Sequence, residues 1–214
     1  MKYLYITILV LLVSCGQTKT DEVALPKKIK LKDKTVKFLW REDKYDEELK
    51  DTFSTIIINE KLCKTLTEPE IAALGYVVTY IGSECQWDGK YNEDRSNLKC
   101  KALDALNLGY QCSDKHLGLL RKWFKNDTKV LEELNYCPTT PFTASSQETF
   151  DEITLTTKGD KISVWFGANG VNMPMGESWY WTETDYFQLD NDNIKLIKKD
   201  KSKVEHEHFD NTGE

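Results

Sequence analysis

Glu183 and Asp185 stand two residues apart in the segment ESWYWTETDYFQL, residues 177–189, with Glu177 nearby. In a strand, that spacing puts both carboxylates on one face. Paired carboxylates hydrolyse glycosides, one as acid and the other as base or nucleophile. Trp179 and Trp181 share a face of the same predicted strand. Trp165 lies in a neighbouring one, with Tyr180, Tyr186 and Phe187 close by. An exposed aromatic row would stack on sugars or grip a partner chain. Buried, the same rings would be the core of a sheet. Trp165, Trp179, Trp181, Glu183 and Asp185 are therefore the candidate binding residues. Acids are common in this chain and no spacing fixes supporting groups around this pair, so no catalytic residue is assigned.

Other chemistry has less in its favour. Nucleophilic catalysis needs a Ser or Cys with a base and an orienting group. A leftover thiol with His116 would be the nearest approach, but His116 sits in the first turn of a predicted helix beside Leu119 and Leu120, as a packed or capping residue would. His206 and His208 would share a strand face, but in a frayed C-terminal tail. The acidic stretch Asp190–Asn193 lacks the central Gly and distal Glu of a calcium loop and reads as a turn. There is no CxxC or HxxxH, no phosphate-binding loop and no GxGxxG, so no metal and no cofactor is expected.

The elements that would position these residues fall into two groups. Glu42 to Cys63 reads as a helix, with Phe53, Ile56, Ile57 and Ile58 as its apolar part. Thr67 caps the next helix, and Glu70 completes a capping box. Its stripe Ile71, Leu74, Val78, Ile81 and Cys85 lies on one face. Ser83–Asn97 is a polar loop. Helices follow at 98–108, ending at Gly109, then at 114–125 capped by Ser113, and at 129–135. Pro138–Gln147 is a linker by composition. Beyond it the hydrophobic period changes to two, with Ile153/Leu155 and Ile162/Val164/Phe166 joined by the turn Lys158–Lys161. The long strand over 177–189 and Ile194–Lys199 complete a four-stranded meander. Ala168–Ser178 is long for a hairpin loop, and such loops often carry binding residues.

The N-terminus supplies the address. Lys2 precedes an apolar run, Tyr3 to Val13, broken only by Thr7. It is too short to span a bilayer, which takes about 20 residues, and it fits a secretory leader. The run ends in Leu12-Val13-Ser14-Cys15. That quartet resembles the lipobox of bacterial lipoproteins. The resemblance covers about fifteen residues. It implies diacylglycerol on the Cys15 thiol, cleavage before Cys15 and acylation of the new amino terminus. Gly16 after the cysteine is similar to cargo sent on to the outer membrane, at its periplasmic face or at the cell surface.

Removal of the leader leaves 200 residues, with 28 basic against 35 acidic side chains. Such a chain has no electrostatic reason to bind nucleic acid. The lysines at 195, 198, 199, 201 and 203 read as a solvated strand end. Cys63, Cys85, Cys100, Cys112 and Cys137 are disulfide candidates in an oxidising compartment. Being five, they form at most two bridges and leave one thiol.

The expected fold is α+β: a disulfide-stapled helical N-terminal region packed against a C-terminal four-stranded antiparallel meander. Residues 1–14 are the signal peptide, 15–35 a flexible tether, 36–142 the helical Cys-rich region and 148–214 the sheet. The functional expectation is a membrane-tethered binding or interaction module of the cell envelope, with a protein or glycan partner. An inhibitor or immunity protein is one form of it. The alternative is a hydrolase of envelope glycan or peptidoglycan.

Overall fold

The computed structural model describes residues 29–80, 98–137 and 146–209. Strands β1 (Lys34–Asp46) and β2 (Asp51–Ile58) come first. Five short helices follow: α1 (Glu60–Cys63), α2 (Glu68–Tyr80), α3 (Leu98–Ala105), α4 (Asp114–Trp123) and α5 (Thr128–Asn135). The chain then returns to strands β3 (Ser146–Lys158), β4 (Lys161–Asn172), β5 (Glu177–Asp190), β6 (Asn193–Lys201) and β7 (Glu205–His208). All pairings are antiparallel, in the order β2-β1-β3-β4-β5-β6, with β7 also on β5.

This overturns the expected fold class. The sheet has seven strands rather than four, and it is the main body of the described chain. The helix expected over 42–63 is a hairpin of β1 and β2 followed by a single helical turn. The charged stretch Arg41–Asp51 has helix-forming composition, but Ile56, Ile57 and Ile58 are β-branched and stiff at χ1. Pairing decides between the two: Leu39 stands opposite Ile58 and Trp40 opposite Ile57. On its other edge β1 pairs β3, as in Val36 with Leu155. The N-terminal part of the chain is thus built into the sheet rather than standing as a helical region against it.

Alternation gives the sheet a buried inner face. Leu39, Phe150, Ile153, Leu155, Ile162, Val164, Phe166, Phe187 and Leu189 are all buried there. Helices α2 and α4 lie on this face against β4, β5 and β6. Tyr76, Phe124 and Phe187 pack as an aromatic trio, with centroids 5.4–5.9 Å apart. Each such side chain contributes about 1.5–3 kcal/mol by leaving water. A Cβ on Gly75 would come within 2.7 Å of Leu108, so the absence of a side chain lets the α3–α4 connection close on α2.

Glu70 fixes how α2 meets the sheet. Its Oε2 accepts from the Thr67 N–H at 2.8 Å, one half of the expected capping box, and from the Thr67 hydroxyl at 2.9 Å. Lys34 Nζ on β1 donates to Oε2 at 2.9 Å, and Thr157 on β3 donates to Oε1 at 2.8 Å. Burial raises the carboxyl's pKa, but these hydrogen bonds outweigh it and hold the group below its ordinary value.

Several expected boundaries shift. Within the segment 15–35 expected as a tether, Leu31 is buried in the core and β1 already begins at Lys34. Of the expected linker, Ser146 and Gln147 belong to β3, while Pro138–Ser145 lie outside the described residues. The later helices start within a residue or so of expectation, and Ser113 caps α4 as read. The long Ala168–Ser178 loop is mostly strand, with one 3-10 turn at Met173–Met175. None of the described helices is long and apolar enough to cross a membrane.

Candidate functional site

The inner face of β5 carries every odd-numbered residue from 179 to 189. Phe187 packs against Tyr76 and Phe124, and Leu189 is buried. Toward the other end, Asp185, Glu183 and Trp181 line a cleft of about 190 Å³. Helix α2 runs along the sheet from Thr157, where Glu70 docks, and contributes Val77 to the cleft wall. Phe166 of β4 and Glu148 of β3 complete that side, and Lys199 and Lys201 of β6 face them.

The lysines reach the cleft through a bulge. From the turn at Asp190–Asn193 the β5–β6 register runs regularly to Phe187 opposite Leu196. It then shifts, and Ile197 has no partner. Beyond it Asp185 faces Lys199 and Glu183 faces Lys201. An unshifted hairpin would set Lys198 and Asp200 there instead.

The electrostatics follow from burial. Asp185 is 1% exposed. Its Oδ2 lies 3.4 Å from Lys199 Nζ, which is 4.0 Å from Glu183 Oε1. Desolvation pushes the Asp185 carboxyl up to about 7; Lys199 opposes that rise, and the adjacent Glu183 carboxyl adds to it. Lys201 sets its ammonium over the Trp181 ring, 4.6 Å from the centroid. Two polar atoms in this setting have no hydrogen-bond partner among the described residues: Trp181 Nε1, a donor, and Asp185 Oδ1. Buried polar atoms without partners are uncommon in folded proteins, and ordered water, a bound group or strain accounts for them; Asn193 Oδ1, in the β5–β6 turn, is a third.

The expected aromatic row divides between the two faces of the sheet. Trp181 belongs to the cleft. Trp179 lies beside it on the same face, half-buried, with Nε1 donating to Glu148 Oε1 at 3.2 Å. A Cβ on Gly170 would overlap the Trp179 indole, so that ring depends on a glycine in β4. Trp165 is on the opposite, solvent-facing side, paired with Thr184. The structure brings Trp181, Glu183 and Asp185 into one cleft, sets Trp179 at its side and leaves Trp165 apart.

The other candidates take structural positions. His116 is fully buried: Nδ1 accepts from the Cys112 N–H at 3.0 Å, and Nε2 lies 2.8 Å from Thr79 Oγ1. Thr79 Oγ1 donates to the Gly75 carbonyl, so Nε2 carries the ring proton. Burial lowers the His116 pKa to about 4. His206 and His208 are exposed on β7, opposite Trp179 and Glu177. Among the described residues no group of three or more His, Cys, Asp or Glu is placed to hold a metal. Asp190–Asn193 is the turn between β5 and β6.

Cys112 and Cys137 form a disulfide, and Cys100 is disulfide-bonded as well. Cys63 is a free, half-buried thiol. Burial pushes its pKa up, which makes it a weak nucleophile. It lines an open groove of about 1200 Å³ between β2 and the helices, where no histidine is among the lining residues. Cys15 and Cys85 lie outside the described residues.

Sequence reading missed Glu148, Lys199 and Lys201 as cleft residues. Their signal was partial: Lys199 and Lys201 share a strand face, but the bulge that turns it toward Asp185 leaves no mark on the hydrophobic pattern. Comparison with protein families, curated proteins and solved structures finds no match to this chain.

Proposed function

We propose that this chain is a lipid-anchored binding module of the bacterial cell envelope, with the Trp181–Asp185 cleft as its ligand site. The observation that carries the binding role is the pair of unpartnered buried atoms, Trp181 Nε1 and Asp185 Oδ1, in one polar cleft. The anchor rests on Leu12-Val13-Ser14-Cys15, and two or three acyl chains would give firm attachment. The Cys112–Cys137 bridge is in keeping with an oxidising compartment.

Cys15→Ser in the native host tests the anchor. It should move the protein out of the membrane fraction and leave an unprocessed precursor. Membrane retention with normal processing would overturn it. Affinity capture from the native envelope, with wild type beside Asp185→Asn, tests the site. A partner kept by the first and lost by the second supports the reading. Equal capture by both places the ligand elsewhere.

A protein partner, as for an inhibitor or immunity protein, is favoured by a different surface. β3 pairs β1 only as far as Trp40, and the rest of the β1–β2 hairpin extends past it with Tyr45, Leu49 and Phe53 exposed. A hydrolase of envelope glycan draws on the raised Asp185. It is weakened because the Glu183 carboxyl lies close enough to Asp185 to add to the rise in its pKa, with both carboxyls on the same Lys199 ammonium. Glycosidase carboxyls stand about 5–5.5 or 6.5–9.5 Å apart, with the glycosidic bond between them.

A further inference from the structure

We infer that the cleft takes a single neutral sugar ring, free or as one unit of a glycan. This rests on reading the cleft as the ligand site and adds the class of ligand.

Size comes first. A volume of about 190 Å³ is many times the roughly 10–15 Å³ that one water needs. One ordered water does not fill it. Hydrogen bonding comes second. Trp181 and Asp185 both line the cleft, and each carries one buried polar atom without a hydrogen-bond partner among the described residues. The Trp181 N–H needs an acceptor, and the Asp185 oxygen needs a group that both donates and accepts as its proton comes and goes. Hydroxyls meet both demands, and a sugar ring carries several of them around a rigid frame.

Charge narrows the class further. Lys199 and Lys201 face Glu183, Asp185 and Glu148, with the signs interleaved rather than segregated. Lys199 is held by Asp185, and Lys201 by the Trp181 ring. No single-sign field selects an anion such as a phosphate. Phe166 and Val77 are almost wholly buried beneath the cleft and the Lys201 ammonium covers the Trp181 ring, so an occupant is met mainly by polar groups.

Calorimetric titration of the full-length protein in detergent with glucose, galactose, N-acetylglucosamine and alanine tests this. At least one of the three sugars should bind saturably. Trp181→Phe keeps an aromatic ring but removes the N–H, and should weaken that binding roughly three- to tenfold. Asp185→Asn should weaken it comparably, while Trp165→Phe on the opposite face should leave it unchanged. Circular dichroism would show that the variants fold. Binding of alanine alone overturns the sugar assignment and leaves the cleft standing as a ligand site. Sugar binding indifferent to both cleft variants overturns the assignment of place. No binding of any of the four overturns the inference and removes support for the cleft reading itself.

Discussion

Thr157 on β3 donates to the Glu70 carboxylate on α2 at 2.8 Å, across 87 residues of chain. Lys34 on β1 reaches the same carboxylate at 2.9 Å. One buried acid thus joins the first strand, the third strand and the N-terminus of the helix that covers the sheet. Glu70→Ala would leave the Thr157 hydroxyl and the Thr67 N–H unpaired and Lys34 without its counter-charge. We expect a loss of about 2–4 kcal/mol in urea denaturation, and Glu70→Gln to lose less. Neutral behaviour of Glu70→Ala would mean that α2 is held by apolar packing alone.

Asp185 makes stability fall as pH rises. Its folded pKa lies near 7, against an ordinary value of 3.8. Between those values the folded chain holds a proton that the unfolded chain has released. Unfolding therefore becomes easier as pH climbs through that window, and the cost is complete above the folded value. Asp185→Asn removes the titration. Chemical denaturation at pH 5 and pH 8 should show the variant gaining on wild type at the higher pH. A constant difference would place the Asp185 pKa outside this range.

His116 works in the opposite direction. Its folded pKa of about 4 lies below the ordinary 6.5. The unfolded chain binds the proton first, so this contribution to stability is full above pH 6.5 and lost as pH falls toward 4. Imidazole ¹⁵N shifts should show a neutral ring protonated on Nε2 at pH 6. A charged ring at that pH would contradict the Thr79 and Cys112 contacts. His116→Ala should cost about 2–3 kcal/mol, because it leaves buried polar partners unpaired.

The thiols give a separate test. Ellman's reagent should find Cys63 slow to react in the folded protein and fully reactive after denaturation. Replacing both Cys112 and Cys137 with Ser should cost about 2–5 kcal/mol, the usual range for a native bridge in a small exported domain. Peptide mapping without reductant should recover Cys112 linked to Cys137. Any other pairing of these two would contradict the structure.

Individual elements were legible in local pattern, although the fold class was not. The reach of Glu70 back to the Thr67 N–H, the Ser113 cap and the period-two strands after residue 150 each follow from chemistry within a few residues, and each is present. Trp181, Glu183 and Asp185 could be named as candidates because strand alternation alone puts them on one face. The run 42–58 failed for the opposite reason. Its charged half favours a helix locally, and only pairing of β1 with both β2 and β3 makes it a strand.

Whether the cleft exists at all was decided in three dimensions. Alternation makes an inner face, but it cannot say where the helices stop covering it. Nor can it place Ile197 outside the ladder, 60% exposed. That single extra residue sets Lys199 rather than Lys198 opposite Asp185. A one-residue shift exchanges the two faces of a strand, and its cost is settled by packing against β5 and the helices rather than by any residue's own preference. The raised Asp185 and the unpartnered Trp181 Nε1 follow from the same packing, because burial is a property of neighbours distant in the chain.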